Sequence, residues 1–181
     1  MKVSREQVAE NRQKILDAAS RLFRAQGFDA VTVVDVMKAA GLTHGGFYGY
    51  FTSKDDLIAQ TLTYLTAQGA RADADLVRYT ESYLSPAHRD DVAGGCPIAA
   101  LGAETVRQTP EARAAMAEGL RKRIESFAAS APQADAAIVR RNAIGSYAAM
   151  VGAVILARLA QDPALSDEVL EQTHAWILEC Q

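Results

Sequence analysis

Apolar residues recur at helical spacing almost from one end of this chain to the other. Between Arg5 and Gln26 an inner stripe of Ile15, Ala19, Leu22 and Phe23 predicts a long amphipathic helix, with Ser4 placed to cap it. Gly27 ends that helix, and Phe28 is the hydrophobic contact that follows such a stop. Val33, Val36, Met37 and Ala40 then fall at i, i+3, i+4 and i+7, one face of a short helix capped by Thr32. Gly41 stands where a residue of positive φ would end it. Thr43 is placed as N-cap of a second short helix, His44 to Tyr50, in which Phe47 turns inward with Phe51.

The remainder reads as helices too. Ser53 caps a helix with Asp55 and Asp56 in its first turn. Leu57, Thr61, Leu62, Leu65, Gln68 and Ala72 mark its buried side, which extends it from Lys54 to about Tyr79. With no Pro/Gly/Ser-rich stretch between 55 and 80, this helix is expected to join two domains stiffly, residues 1–52 and 53–181. A short helix follows Ser85-Pro86, and Gly94-Gly95 breaks the chain. Cys96-Pro97 opens the next helix, with Ile98, Leu101, Thr105 and Val106 expected to face inward. Pro110 starts another, to about Phe127, whose Arg121-Lys122-Arg123 run reads as a solvated face. A long helix from Asp135 to Gln161 carries Gly145, Ala149 and Gly152 on one stripe. Asp162-Pro163 ends it, and Ser166 is placed to cap a last helix holding Val169, Leu170, Thr173, Trp176 and Ile177.

Two short helices around a glycine turn read as a helix-turn-helix, whose second helix enters the DNA major groove. Gly45 and Gly46 each cost a helix roughly 1 kcal/mol against Ala. They make sense where the backbone must lie close to another surface. Tyr48 and Tyr50 then point outward or sideways, where hydroxyls can donate to phosphates and rings can pack on sugars. His44 can meet a base edge. The same spacing also suits a small aromatic-rich corner of a helical domain.

Charge and candidate chemistry change the picture little. Residues 1–60 hold eight Lys and Arg against seven Asp and Glu, and the other 121 hold eleven against fifteen. A mildly basic DNA reader with an acidic remainder fits that split, and a dimer would double its phosphate contacts. His44, His88 and His174 are scattered, without a carboxylate or cysteine partner at helical spacing. No phosphate-cradling glycine loop or metal-ligand cluster is present. An enzyme, a cofactor and a metal are therefore not expected. The polar N-terminus has no apolar leader core, and the apolar run from Ala143 to Ala157 is short of the roughly 20 residues of a membrane span. The cytoplasm is the expected location, with no membrane partner.

Three blocks carry a resemblance: KILDAASRLFRAQGFDAVTV, then VMKAAGLTHGGFYGYF, then SKDDL. From about Gln13 to Lys54 the chain resembles the DNA-binding domain of the TetR family of bacterial transcription regulators. Met37 departs from the pattern, where many members carry a small Ala. The resemblance implies an all-α protein: an N-terminal three-helix helix-turn-helix domain, then a helical ligand-binding and dimerisation domain. Its partners would be double-stranded operator DNA, a small-molecule effector and a second copy of the chain. DNA contacts are expected from Thr32, whose hydroxyl the resemblance places at a phosphate, and from Thr43, His44, Gly45, Gly46, Tyr48, Tyr50 and Lys54.

In the second domain an effector pocket between helices is expected to use Tyr64, Ile98, Leu101, Met116, Phe127, Tyr147 and Met150, although each also suits plain core. GGCPIAAL resembles a segment of one branch of the family. Cys96 therefore has two readings: a small buried filler, or a thiol activated at a helix N-terminus that senses an oxidant or electrophile. Gly145, Ala149, Gly152, Trp176 and Ile177 are expected at the dimer interface, the last two helices pairing with their symmetry mates as a four-helix bundle.

Overall fold

The computed structural model describes residues 4–69, 75–130 and 135–179, and all regular structure among them is helical. α1 spans Arg5–Gln26, with the Ser4 hydroxyl accepting from the Gln7 N–H as cap. Ile15, Leu16, Ala19 and Phe23 are buried along it. Its end is set by Gly27, at φ +82°, whose N–H returns to the Phe23 carbonyl. The positive φ favours glycine, and a Cβ there, 2.6 Å from Glu104 Oε1, would also push that carboxylate aside.

α2 spans Val33–Ala39. Thr32 and Asp35 close a capping box at its start. Gly41, at φ +71°, turns the chain after it, and the Leu42 N–H reaches back to the Met37 carbonyl. The following segment, His44–Gly49, is a 3₁₀ helix rather than the expected α-helix. Gly45, Gly46 and Gly49 supply half of it and give it little α propensity. α3 spans Lys54–Gly69, with the Ser53 hydroxyl accepting from the Asp56 N–H.

α3 does not continue to Tyr79. Asp75 caps a separate helix, α4 (Leu76–Tyr83), by accepting from the Arg78 N–H. Gln68 is exposed, and Ala72 lies outside the described residues. α5 (Pro86–Asp90), α6 (Pro97–Thr105), α7 (Pro110–Ala129), α8 (Ala136–Leu159) and α9 (Pro163–Glu179) complete the chain. Proline stands at the first turn of α5, α6 and α7, where its missing N–H costs nothing. Val106 is 67% exposed just beyond α6, because the helix ends there and the chain turns outward. Ser166 does not cap α9. Asp162 does so, accepting from the Ala164 N–H, while Ser166 sits inside the helix and donates to the Ala157 carbonyl.

Two cores result. Ile15, Phe23, Val36, Met37, Phe47, Phe51, Leu57 and Leu62 form the first, joined by Leu101 of α6 and Met116 of α7. Leu76, Tyr83, Phe127, Tyr147, Met150, Val154, Leu170 and Ile177 form the second. α3 lies along α7, and a Cβ on Gly119 would stand 2.2 Å from the Thr66 methyl, so the two backbones approach closely there. α8 is long and apolar enough to cross a membrane by length and composition alone. In the fold its Tyr147, Met150, Ala153, Val154 and Ala157 are buried against neighbouring helices.

Gly41→Ala should destabilise the protein by about 1 kcal/mol, since a Cβ disfavours positive φ. A Cβ there would meet no atom within 4 Å, so the effect is conformational. Gly41→Asn should recover part of the loss in denaturant titration, because Asn tolerates this region. Equal losses for Ala and Asn would contradict the assignment.

Candidate functional site

The helix-turn-helix is built from the inside. Phe47 and Phe51 are buried and stacked, ring centroids 5.7 Å apart, which pins the 3₁₀ segment onto the first core. Tyr48 is thereby turned out, 74% exposed, its ring edge-on to Phe47. Thr43 is exposed but makes no side-chain cap, and the Gly46 N–H takes the Thr43 carbonyl instead. Cβ atoms at Gly45 and Gly46 would meet nothing closer than 3.9 Å among the described residues, and neither glycine has positive φ. Nothing among the described residues requires these two glycines, so a requirement for close approach would have to come from outside.

Two expected contact residues are already engaged. The Tyr50 hydroxyl accepts from Asn11 Nδ2 at 3.0 Å, which ties the half-buried ring to α1. Thr32 gives both its N–H and its hydroxyl proton to Asp35 and accepts from the Asp35 N–H. These bonds hold the Asp35 carboxyl below its ordinary range. His44 is exposed, and Lys54 is half-buried at the start of α3.

The second domain encloses a cavity of about 170 Å³ between α3, α4, α6, α7 and α8. Of the residues expected there, Ile98, Met116 and Tyr147 line it. Leu101, Phe127 and Met150 are packed in the cores instead, with no face on the cavity. Tyr64 lies on the α1–α3 contact, where its hydroxyl donates to Asp17. The wall also includes Leu65, Thr66, Tyr79, Cys96 and Arg123.

Arg123 corrects the solvated-face reading of the basic run. Arg121 and Lys122 do pair with Glu118 on the surface, but Arg123 is only 8% exposed. Its guanidinium carbon stands 4.5 Å from the Tyr79 ring centroid and 5.4 Å from that of Phe127, and Nη2 donates to the Gly69 carbonyl. The spacing contained this signal: Met116, Arg123 and Phe127 fall at i, i+7 and i+11, one helical face.

Cys96 closes the far side, 8% exposed, with Sγ 3.7 Å from the Tyr147 hydroxyl. Burial pushes the Tyr147 and Tyr83 phenols up and the Tyr79 phenol to about 12. His88 holds the loop before α6. Nδ1 lies 2.7 Å from the Tyr83 carbonyl, and Nε2 accepts from the Cys96 N–H at 3.0 Å. That pair of bonds requires neutral imidazole with its proton on Nδ1. Burial, with Arg158 nearby, pulls the His88 pKa down and favours the same state.

The loop is also gripped from the first domain. Arg24, in the last turn of α1, gives Nη1 to the Gly94 and Gly95 carbonyls at 3.0 and 2.7 Å and Nε to the Ser20 carbonyl. Glu104, near the end of α6, accepts from the Phe28 N–H at 2.8 Å. The C-terminal turn of α1 is thus held by both ends of the segment that carries α6. Sequence spacing alone did not point to this link.

On the opposite side, α8 and α9 expose Ile144, Leu156, Leu159 and Trp176, the last at 51%. A shallow groove there is lined by Ala149, Gly152, Ala153, Leu156 and Trp176. Gly145 is exposed nearby on α8. Ile177 is fully buried within the subunit and has no surface to offer a partner.

A helix-turn-helix unit fixed to a larger all-helical domain is the architecture of a helix-turn-helix transcription regulator. Residues 15–61 match the domain described as bacterial regulatory proteins, tetR family, and residues 72–173 match the tetracyclin repressor-like C-terminal domain. The chain belongs to the TetR family. It is similar to the HTH-type transcriptional regulator AcrR of Shigella flexneri, 40% identical over 57 residues, which are 32% of this chain and 26% of that one. It is similar to the uncharacterized HTH-type regulator YxaF of Bacillus subtilis, 29% identical over 108 residues, 53% and 56% of the two chains. The chain therefore spans about a quarter of AcrR and about half of YxaF. The reduced form of E. coli NemR shares the fold, with TM-score 0.78 and 22% identity over 94% of this chain and 97% of that one.

Two outcomes follow from the geometry. Tyr48→Ala should leave the melting temperature unchanged, since the ring is exposed, and weaken binding to the cognate DNA by about 1.5–3 kcal/mol in mobility shifts, the worth of a hydrogen bond to a charged phosphate. Unchanged affinity would remove Tyr48 from the interface. Native His88 resists protonation, whereas the unfolded residue takes a proton near pH 6.5, so wild-type stability should fall as pH drops below about 6.5. His88→Gln should show a flatter dependence between pH 7.5 and 5.5 in denaturant titrations. Parallel curves would contradict the neutral assignment.

Proposed function

We propose that this chain is a homodimeric, ligand-released repressor that binds a palindromic operator. Each 3₁₀ segment, presented by residues 1–52, enters one major groove, with Tyr48, His44 and the exposed backbone at Gly45 and Gly46 facing the DNA. Thr43, Thr32, Tyr50 and Lys54 lie around this face, Thr32 and Tyr50 engaging DNA only by exchanging their present partners. Residues 53–181 carry effector binding and dimerisation, the exposed apolar face of α8 and α9 meeting its symmetry mate through Gly145, Ala149, Gly152 and Trp176. A cytoplasmic protein without catalytic activity is the corresponding setting.

The observation that carries the release mechanism is Arg24 on the Gly94 and Gly95 carbonyls. These residues directly precede Cys96 in the cavity wall. A ligand that moves the start of α6 therefore pulls on the end of α1, and with it on the reader. Dimerisation is tested with Trp176→Glu by analytical ultracentrifugation. The variant should sediment as a folded monomer and lose operator affinity by about ten-fold or more, because half the phosphate contacts go. A dimer that persists in this variant would move the interface elsewhere.

A second reading rests on Cys96, whose sulfur lies in the cavity wall beside the Tyr147 hydroxyl. There a thiol-reactive electrophile, not a reversible ligand, would be the signal. N-ethylmaleimide should then release wild-type protein from its operator and leave Cys96→Ser bound. Equal release of both would remove this reading, and release of neither would favour the reversible ligand.

A further inference from the structure

The buried hydroxyls at the cavity are poorly satisfied. Tyr147 lines the cavity and is only 6% exposed. Its hydroxyl has one hydrogen-bond partner among the described residues, Cys96 Sγ at 3.7 Å. Sulfur is a weak acceptor and a thiol a weak donor, so this contact satisfies the phenol poorly. The Tyr83 hydroxyl is buried without a hydrogen-bond partner, and Cys96 and Tyr147 are its polar neighbours. Two phenols thus crowd one thiol. A buried donor without a good acceptor keeps its desolvation cost.

The Tyr147 ring cannot turn away from this arrangement. It packs edge-on against Phe127 and Tyr83, with ring centroids 6.0 and 6.4 Å apart. Burial keeps the phenol protonated, so it stands at the cavity as a fixed donor. Leu65, Ile98 and Met116 supply apolar surface to the same space. Tyr79 adds an aromatic face, itself edge-on to Phe127. The volume, about 170 Å³, is close to the roughly 150 Å³ of an engineered apolar cavity that admits benzene.

We propose that the cavity binds a small apolar molecule with one carbonyl oxygen, a ketone about one ring in size. Its oxygen accepts the Tyr147 proton, and its hydrocarbon lies against Leu65, Ile98 and Met116. With that proton given to the ligand, the Tyr147 oxygen accepts from the Cys96 thiol, and the sulfur is left to accept from Tyr83. One added acceptor therefore completes a row of three donors. The discrimination is between oxygen and carbon at one position, so it does not depend on the charge around the cavity. This proposal rests on the reading of the cavity as the effector site, and it names the class of that effector.

The test compares cyclohexanone with methylenecyclohexane, which differ only by an oxygen in place of a CH₂ group. Each is titrated into the full-length protein without DNA, and binding is read by ligand-observed NMR. Cyclohexanone should bind about two- to ten-fold tighter, the net contribution of one neutral hydrogen bond. Tyr147→Phe keeps the ring and should invert the order, because the carbonyl is then buried without its donor. Tyr83→Phe removes a hydroxyl that does not touch the ligand, and it should keep the wild-type order and melt no lower than wild type. Equal affinity of the two probes for wild type, or no binding of either, would overturn the proposal. So would a folded Tyr147→Phe protein that still prefers cyclohexanone, or loss of the preference in Tyr83→Phe. Addition of cyclohexanone to the operator complex then separates the two readings. Binding without release would leave the ketone site standing and remove the effector role.

Discussion

The turn that ends α1 is where the two halves of this protein meet, and most of the structure depends on how it is held. Arg24 is bonded to three carbonyls, one in its own helix and two in the loop before α6. Glu104 takes the Phe28 N–H from the other end of α6. Hydrogen bonds to charged groups are worth about 1.5–3 kcal/mol each when buried, and less for the solvent-exposed bond to the Gly94 carbonyl than for the part-buried ones. Burial also lowers the Arg24 pKa, which marks the cost of desolvating the guanidinium. Gly27 completes the clasp, because its positive φ suits glycine and a side chain there would displace the Glu104 carboxylate from its place. Phe28 is buried against Phe23, so the N–H that Glu104 holds belongs to a residue fixed in the first core.

From that clasp the logic runs in two directions. Toward the N-terminus, Phe47 and Phe51 anchor a 3₁₀ segment too rich in glycine to hold itself, and the anchoring turns Tyr48 outward. Toward the C-terminus, α6 forms one wall of a cavity, while α3 and α7 close another where Gly119 lets them approach. Arg123 is the one cation buried in the wall among the described residues, and its aromatic neighbours set its position. A change at the start of α6 is therefore mechanically connected to the reader through a few named hydrogen bonds.

Much of this was legible in the chain where the signal is local backbone chemistry. Ser4, Gly27, Gly41, Ser53, Pro97 and Pro110 each mark an element boundary that the structure keeps, because capping and φ preferences act over four residues or fewer. The paired Phe47 and Phe51 face was legible for the same reason. Local signals also misled. The apolar spacing after Leu65 carried a helix past Asp75, whose capping carboxylate begins a new one. Ser166 was placed as the cap of the last helix, although Asp162 stands nearer to the helix start and takes that role. Arg123 was assigned by its charged neighbours instead of by its seven-residue offset from Met116. The Arg24 and Glu104 links join residues some 70 and 76 positions apart. No periodicity predicts them, since they exist only once α1 and α6 are packed. The pocket suffered likewise: helix faces identify buried residues, but only the packed helices decide which of them, such as Leu101 and Met150, leave no space beside them.

The central claim is that two copies of this chain read a two-fold symmetric DNA site through exposed 3₁₀ segments. It is tested most directly by selecting bound fragments from genomic DNA with the purified protein and titrating the best fragment with salt. The account predicts enrichment of an inverted repeat, half-sites about one helical turn apart. It also predicts affinity that falls steeply as salt rises, since phosphate contacts release counterions. Failure to enrich any fragment, or enrichment of an unpaired half-site with salt-independent affinity, would contradict it.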